Sequence, residues 1–469
     1  DKNADRNLRA FLGDNPEPRK KVLSTPVTAT EQDYYHPANM DKVVDITYDD
    51  NFQTVSITAH TWTDTKSYQL YDVATRIPSF VDGLIITRRK ILTGVRQQFG
   101  QRNHTRAKIP ELTGDIMKKM KYHHGDASLS EVILKQAQDY VGSLCFPFLK
   151  AMCDVGSRHF GGHDKVAPRY GSVKLNTKLC NLMYSHNDDW ALRYNTSEGK
   201  QVEPITYVPI IPMAIMENNK MPSHGWANTV WGRDYDEVAW YLKKCIEEGV
   251  KPSDDKELVG MMVNGNPTNQ SNVKFPTFNP DRSRIDPGGK NPLDDFAVSI
   301  FGYTNPKLET VGKQKVLNSF GQYIWTGPRS FRITELPFRI WNEHFIEGNP
   351  ATKDSVGIKQ DPIVDDVVDR SNEKDIIIDV TLIPDWIPDI KNKTDKEYIK
   401  NNKDNIKPRS AKDYLLHKYD SSNTLTDLDP VIRYFDMKQT LKSNLTFLLQ
   451  DGTVKVFDTY MDVFKQWYF

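Results

Sequence analysis

Apolar and polar positions alternate along this chain in two rhythms, and the change from one to the other divides it. The first ~60 residues have no sustained period: NPEPRKK and the acidic run VDITYDD are polar and turn-rich, which predicts a linker or the tail of a preceding unit. From about Thr65 to Leu144 the pattern is helical. SYQLYDVATRI gives one segment, and ITRRKILTGVRQQF a second, with Leu92, Val95 and Phe99 on one face. KIPELTGDIMKKMKY gives a third, with Ile109, Leu112, Ile116 and Met120 in step. The fourth is expected to open on the capping box Ser128–Glu131 and to bury Ile133, Ala137, Tyr140, Val141 and Leu144. Helix, short Gly-containing turn, helix is the grammar of a helix-turn-helix or winged-helix module.

Between Cys145 and Asn176 the chain is Gly-rich and basic, and it predicts a loop with short strands. Beyond it the rhythm turns to β-type runs, ITYVPIIPMAIM, SFRITELPFRIW and DIIIDVTLI, separated by the loops NGNPTNQSN and DPGGKNP. Residues 391–412 are charged and Asn-rich and are expected to form a solvated excursion. The closing FLLQDGTVKVFDTYMDVFKQWYF predicts two strands joined at Asp-Gly and the first turns of a helix. The fold class is therefore α+β and multidomain.

At 469 residues the chain is long enough for about two to four compact units. With 38% hydrophobic, 26% charged and 11% aromatic residues each unit can bury a core, which excludes wholesale disorder. No window approaches 18 uninterrupted apolar residues, so no transmembrane helix and no membrane partner are expected. Cys145, Cys153, Cys180 and Cys245 show no CxxC spacing and are too sparse for a disulfide framework. They are read as reduced thiols of an intracellular protein.

The formal charge is +0, from 62 basic and 62 acidic side chains, which argues against a bulk polycation. The sum hides a gradient. Residues 81–180 carry about 17 Lys and Arg against about 8 Asp and Glu, so the remainder is acidic by about nine. The positive pole coincides with the helical module, and duplex DNA, with a phosphate charge per ~1.7 Å of axis, is the natural partner for such a surface.

Chemistry concentrates in GSRHFGGHDKVAPRYG, residues 156–171. Its glycines permit close approach to a ligand, while Arg158, His159, His163, Lys165 and Arg169 supply cations and donors around Tyr170. A phenol of pKa ~10 is a poor nucleophile at neutral pH unless cations or a base stabilise the phenolate, and Arg169 is the right kind of neighbour for attack on a phosphodiester. An ordinary half-buried tyrosine would look the same on composition. YHHGD, residues 122–126, offers two adjacent histidines that point to different faces, so at most one serves a given site. The acidic run DPIVDDVVD, residues 361–369, matches no hard-cation loop, and no GxxxxGK[ST] occurs.

These residues carry a family resemblance. GSRHFGGHDKVAPRY resembles the active-tyrosine loop of the type IIA DNA topoisomerases, G-T-R-L-H-G-G-K-D-x-x-x-P-R-Y, with no length change. In the same order, IPSFVDGLIITRRKIL, KIPELTGDIMKKMKYHHGDASL, VEPITYVPIIPMAI and ITELPFRIW are similar to that family's segments, and together the blocks span most of the chain. The resemblance implies that Tyr170 attacks a DNA phosphodiester, forming a 5′-phosphotyrosyl link and releasing a 3′-hydroxyl. It implies that Arg169, His124 and Arg89 act at the reacting phosphate, and that Arg88, Lys90, Lys108, Tyr122, His123, Ser128 and Arg158 contact DNA.

Where the family has Lys in D-G-L-K-P this chain has Ile85, and where it has G-I-G-T-G-W this chain has M-P-S-H-G-W. That puts Pro222, or Met221, at the position whose side chain wedges between base pairs. The implied organisation is 1–60 as the tail of a Toprim metal-binding domain with its linker, and 61–185 as a winged-helix domain with the tyrosine. A tower at 186–452 and the start of a coiled-coil arm at 453–469 follow. The family's acidic metal motifs and ATPase motifs are not found in this sequence, so Mg²⁺ and ATP are expected to be bound by domains outside this chain, with no metal ligand within it. The implied partners are double-stranded DNA, a second copy in a homodimer, and a Toprim/ATPase portion on the same polypeptide or a separate subunit. The divergence suggests a viral or phage enzyme, placed at DNA in the nucleus or at a cytoplasmic replication site. A winged-helix architectural protein that has lost strand breakage is the alternative reading.

Overall fold

The computed structural model describes residues 4–24, 46–49, 52–55, 57–99, 106–143, 147–233, 235–247, 277–278, 284–285, 306–311, 314–349, 356–372, 375–385, 410–412, 415 and 430–468. The sequence loops at 264–272 and 286–292, and the excursion at 391–409, lie outside these residues, as does Leu144.

The chain opens on two short helices, α1 (Ala4–Leu12) and α2 (Pro16–Val22), where the sequence predicted only linker. α2 depends on its ends rather than on an apolar stripe. Asn15 accepts from the Glu17 amide at 3.0 Å, and Pro16 stands at the first helical position, where its missing N–H costs nothing. A small antiparallel pair, β1 (Ile46–Asp49) and β2 (Phe52–Val55), precedes α3 (Ile57–His60), a π-helical turn (Thr61–Thr65) and α4 (Lys66–Arg76).

The expected helical module follows as α5 (Ile86–Phe99), α6 (Ile109–Met120) and α7 (Asp126–Lys135). The α6 stripe Ile109, Leu112, Ile116 and Met120 is fully buried, as are Leu92, Val95 and Phe99 of α5. A three-stranded antiparallel sheet completes the winged-helix pattern. It runs β3 (Ala107–Lys108), β5 (Ser172–Leu175), β4 (Leu149–Ala151) in space. The expected capping box is not used. α7 starts three residues earlier, with Gly125 as N-cap, so Ser128 lies inside the first turn. The helix also ends before its predicted stripe is complete. Ala137 and Gln138 donate to Leu134 and Lys135 in tight last-turn bonds, and the Gln138 side chain is drawn to the Val155 carbonyl at 2.8 Å.

After α8 (Thr177–Met183) come two hairpins, β6 (Tyr194–Ser197) with β7 (Lys200–Pro204) and β8 (Asn219–Pro222) with β9 (Ala227–Val230), and then α9 (Tyr235–Glu247). The β-type run ITYVPIIPMAIM forms no ladder: Pro209 and Pro212 remove two donors, and Met213–Ile215 closes as a 3-10 turn. β10 (Thr277–Phe278) and β11 (Arg284–Ile285) form a minimal pair. β12 (Pro306–Val311) and β13 (Gln314–Phe320) then pair with the later β18 (Lys438–Leu441). β14 (Gln322–Trp325), β15 (Ser330–Glu335), β17 (Ile378–Leu382) and β16 (Val364–Asp369) form a four-stranded sheet in that spatial order. Val364–Asp369 of the acidic run DPIVDDVVD is thus edge strand β16. β19 (Leu445–Leu448), β20 (Val454–Phe457) and a helix Tyr460–Tyr468 end the chain as the sequence predicted.

Two cores result. One joins α5–α8 and the first sheet to Tyr207, Met213, Val238 and Leu242, and also to Phe447, Val463 and Phe464 from the end of the chain. The boundary expected at 185 therefore crosses this core, and the terminal helix packs into it. The second core lies on the four-stranded sheet, around Phe331, Ile333, Ile378 and Val380. Val141, Trp231, Phe338 and Leu441 form a further small cluster.

Candidate nucleic-acid interface

Tyr170 ends a 3-10 turn, Pro168–Tyr170, and its side chain is 75% exposed. The turn is set by its neighbours. Gly171 donates to the Pro168 carbonyl at 3.0 Å, and its own carbonyl accepts from Ile109 at 3.0 Å, seating the turn on the start of α6. A Cβ at Gly171 would meet Ile109 Cδ1 at 2.5 Å, so a larger residue there would have to displace the Ile109 side chain. The Arg169 guanidinium carbon lies 5.5 Å from the Tyr170 ring centre, and Arg169 is exposed. Lys108 is the register partner of Ser172, two positions past the tyrosine, and it is exposed. Lys150 pairs with Lys174 one strand over, adding two cations to the same sheet.

The two histidines diverge. His124 shares a hydrogen bond of 3.0 Å between its Nε2 and the Tyr71 hydroxyl, and the Tyr122 ring stands edge-on to it at 5.3 Å. His123 has Nε2 at 3.9 Å from Glu198. Glu198 and Gly199 form a two-residue hairpin turn, both with positive φ, and Glu198 also pairs with Lys121 at 2.5 Å. That lysine's hydrogen bond holds the Glu198 carboxyl below the usual range. Tyr122 is 8% exposed; burial raises its pKa, while its hydroxyl bonds to Thr87 and Ser128, opposing that rise. Ser128 itself is exposed in the first turn of α7.

Four expected cations lie lower than the sequence suggested. Arg89 is 4% exposed: its Nε and Nη2 donate to Asp82 at 2.8 and 2.9 Å, and Nη2 also donates to the Leu84 carbonyl at 2.9 Å. Burial lowers its pKa, but the Asp82 carboxylate outweighs this and raises it overall. Arg88 reaches Glu217 at 3.2 Å, and Lys90 reaches Glu203 at 2.8 Å and the Met120 carbonyl at 2.6 Å. Burial pushes Glu217 up to about 7 against the pull of Arg88. Arg158 is 5% exposed and pairs with Glu335. These four side chains hold carboxylates of this chain, because a buried guanidinium or ammonium without such a partner would be costly.

The glycine-rich loop is tied down beside them. His159 Nε2 donates to the Asn372 carbonyl at 2.9 Å, and the Asp369 hydrogen bond raises the histidine's pKa. Gly161 has φ +59, and any Cβ there would strike the Trp341 indole. At the tip of the β8–β9 hairpin Pro222 is exposed, while Met221 is half-buried on the other face of the strand. Ser223 next to it donates to Asp72 of α4 at 2.8 Å. Sequence reasoning did not single out Tyr71, Asp72, Glu198 or Glu335, and no spacing rule links them to 124, 223, 121 or 158. Among the described residues no group of three His, Cys, Asp or Glu side chains could hold a metal ion.

The geometry sets an exposed tyrosine turn among basic side chains on a winged-helix module. The family model for the A subunit of DNA gyrase/topoisomerase IV matches residues 76–266. DNA topoisomerase 2 of African swine fever virus (isolate Tick/South Africa/Pretoriuskop Pr4/1996) is 27% identical over 476 residues, covering 100% of this chain and 33% of that protein. DNA topoisomerase 2-alpha of Rattus norvegicus is 28% identical over 271 residues, 58% of this chain and 15% of that one. The crystal structure of the Plasmodium falciparum topoisomerase II DNA-binding, cleavage and re-ligation domain shares the fold. Its TM-score is 0.64 at 21% identity, over 99% of this chain and 50% of that one. The chain is thus similar to the A subunit of DNA gyrase/topoisomerase IV over residues 76–266, and along its whole length to a viral DNA topoisomerase 2. It spans about a third of the length of the viral relatives it matches.

Proposed function

We propose that this chain supplies the nucleophile and the DNA-gripping surface of a type II DNA topoisomerase that cuts both strands, passes a second duplex and reseals the first. The observation that carries the reading is Tyr170, three-quarters exposed at the edge of a basic surface with Arg169 over its ring. In the forward step the Tyr170 Oη–phosphorus bond forms and the phosphorus–O3′ bond breaks. The phenolic proton passes to a base or to solvent, and the departing 3′-oxygen takes up a proton. Resealing runs the same bonds backwards with the 3′-hydroxyl as nucleophile. Arg169 offsets charge on the phosphorane-like transition state, and His124 donates a hydrogen bond to a non-bridging oxygen. Arg89 and Arg158, with both guanidiniums buried in ion pairs, shape the surface and are not assigned to the phosphate.

Among the described residues no group of side chains fits a resident Mg²⁺. Metal and ATP belong, in this reading, to the remainder of the enzyme, and two copies act together so that both strands are cut. The test traps covalent complexes with denaturant, using the chain together with the rest of its enzyme. Unmodified protein should retain DNA and Tyr170→Phe should retain none. Equal retention by the two would end the proposal.

A further inference from the structure

His124 stands between two tyrosines that treat it differently. Tyr122 offers only its ring edge, because its hydroxyl is taken by Thr87 and Ser128. Tyr71 offers its hydroxyl, 3.0 Å from Nε2. We infer that Tyr71 is a positioning residue for His124, holding the imidazole in one orientation and one tautomer; this rests on the reading of Tyr170 as the nucleophile.

A neutral imidazole carries one proton on two nitrogens, and the partner of one nitrogen decides the state of the other. When the Tyr71 hydroxyl donates to Nε2, the proton resides on Nδ1, and the exposed edge of the ring presents a donor to an anionic oxygen. Without Tyr71 the ring is free to turn and to change tautomer, and only a fraction of molecules present the donor. The helix that carries Tyr71 is well anchored. Val73 and Ala74 are buried, and the Asp72 carboxylate is held by Arg76 at 2.5 Å and by Ser223 at 2.8 Å. The orientation is thus set before DNA arrives, which is what positioning requires. Because Ser223 is at the β8–β9 tip, the same turn of α4 fixes both the histidine and the hairpin.

The test is a double-mutant cycle in the full enzyme with Tyr71→Phe, His124→Ala and the pair, reading single-turnover cleavage and the half-saturating DNA concentration. Tyr71→Phe should slow cleavage about tenfold with half-saturation changed by less than about twofold, and in the His124→Ala background it should add almost nothing. Full additivity, or an unchanged rate, overturns the inference. A second reading is the ¹⁵N shifts of the His124 ring in the unmutated 469-residue chain. An unprotonated Nε2 is expected, and a proton on Nε2 overturns the inference even if Tyr71→Phe does not fold. A Tyr170→Phe enzyme that still traps DNA would instead sink the proposed function and leave the Tyr71–His124 coupling to stand or fall on the shifts.

Discussion

The Arg158 guanidinium is held by the Glu335 carboxylate, joining the glycine-rich tyrosine loop to strand β15 from 177 positions away along the chain. The same arginine donates to the Leu336 carbonyl at 3.4 Å. Removing it leaves the half-buried Glu335 carboxylate without its cation, and Arg158→Ala should cost about 3 kcal/mol in a urea titration. A phosphate contact would instead show in the salt dependence of DNA binding. The slope of log affinity against log salt should stay as it is, whereas a lost phosphate contact lowers it by about 1.

Arg169 makes the opposite prediction. It is exposed and among the described residues has no carboxylate partner to abandon, so Arg169→Ala should leave the urea midpoint within about 0.5 kcal/mol of the original. Cleavage by the full enzyme should fall by about 10² or more, because a donor aimed at developing charge is lost. Unchanged cleavage with lost stability would mean that Arg169 is the structural arginine of the loop and Arg158 the one that meets DNA.

How much of this was legible in the sequence depends on where the cause lies. Ile109, Leu112, Ile116 and Met120 recur with the helical period because one face of α6 must be buried, and a local pattern reports that burial. The closing Asp451–Gly452 turn was legible for the same reason, since Gly452 adopts φ +78 and local chemistry selects it. α2 was missed because so short a helix rests on its cap at Asn15 more than on period. The edge strand β16 was missed because only one in three of its positions turns inward, leaving no alternation to read. The tyrosine loop was recognised, but the fate of its cations was not. Whether Arg158 faces DNA or Glu335 is decided by a residue 177 places on, and no local signal carries that.

Glu217 gives a pH dependence with a definite sign. Burial raises its folded-state pKa to about 7 from the ordinary 4.5. As pH rises between about 4.5 and 7 the unfolded chain loses the proton while the folded one keeps it, so stability falls across that window and is level above it. The span is on the order of 3 kcal/mol. Glu217→Gln should flatten this descent, measured as the urea midpoint against pH. A descent of unchanged size in the variant would place its cause elsewhere.

The β8–β9 hairpin is predicted to bend DNA through Pro222. Fluorescence energy transfer across a labelled ~30-base-pair duplex should report a bend with the unmodified chain. Pro222→Gly should reduce it while Met221→Ala does not, since Met221 is half-buried on the opposite face. A bend lost only with Met221→Ala would move the wedge by one residue.

The central claim is that Tyr170 is the residue that becomes joined to DNA. Its most direct test is to trap the covalent complex with the full enzyme, digest protein and nucleic acid, and find the nucleotide-bearing peptide by mass spectrometry. The expected result is a 5′-phosphonucleotide on Tyr170, within residues 166–174, and a free 3′-hydroxyl on the cut strand. A nucleotide on any other side chain, or a 3′-phosphate linkage, would contradict it.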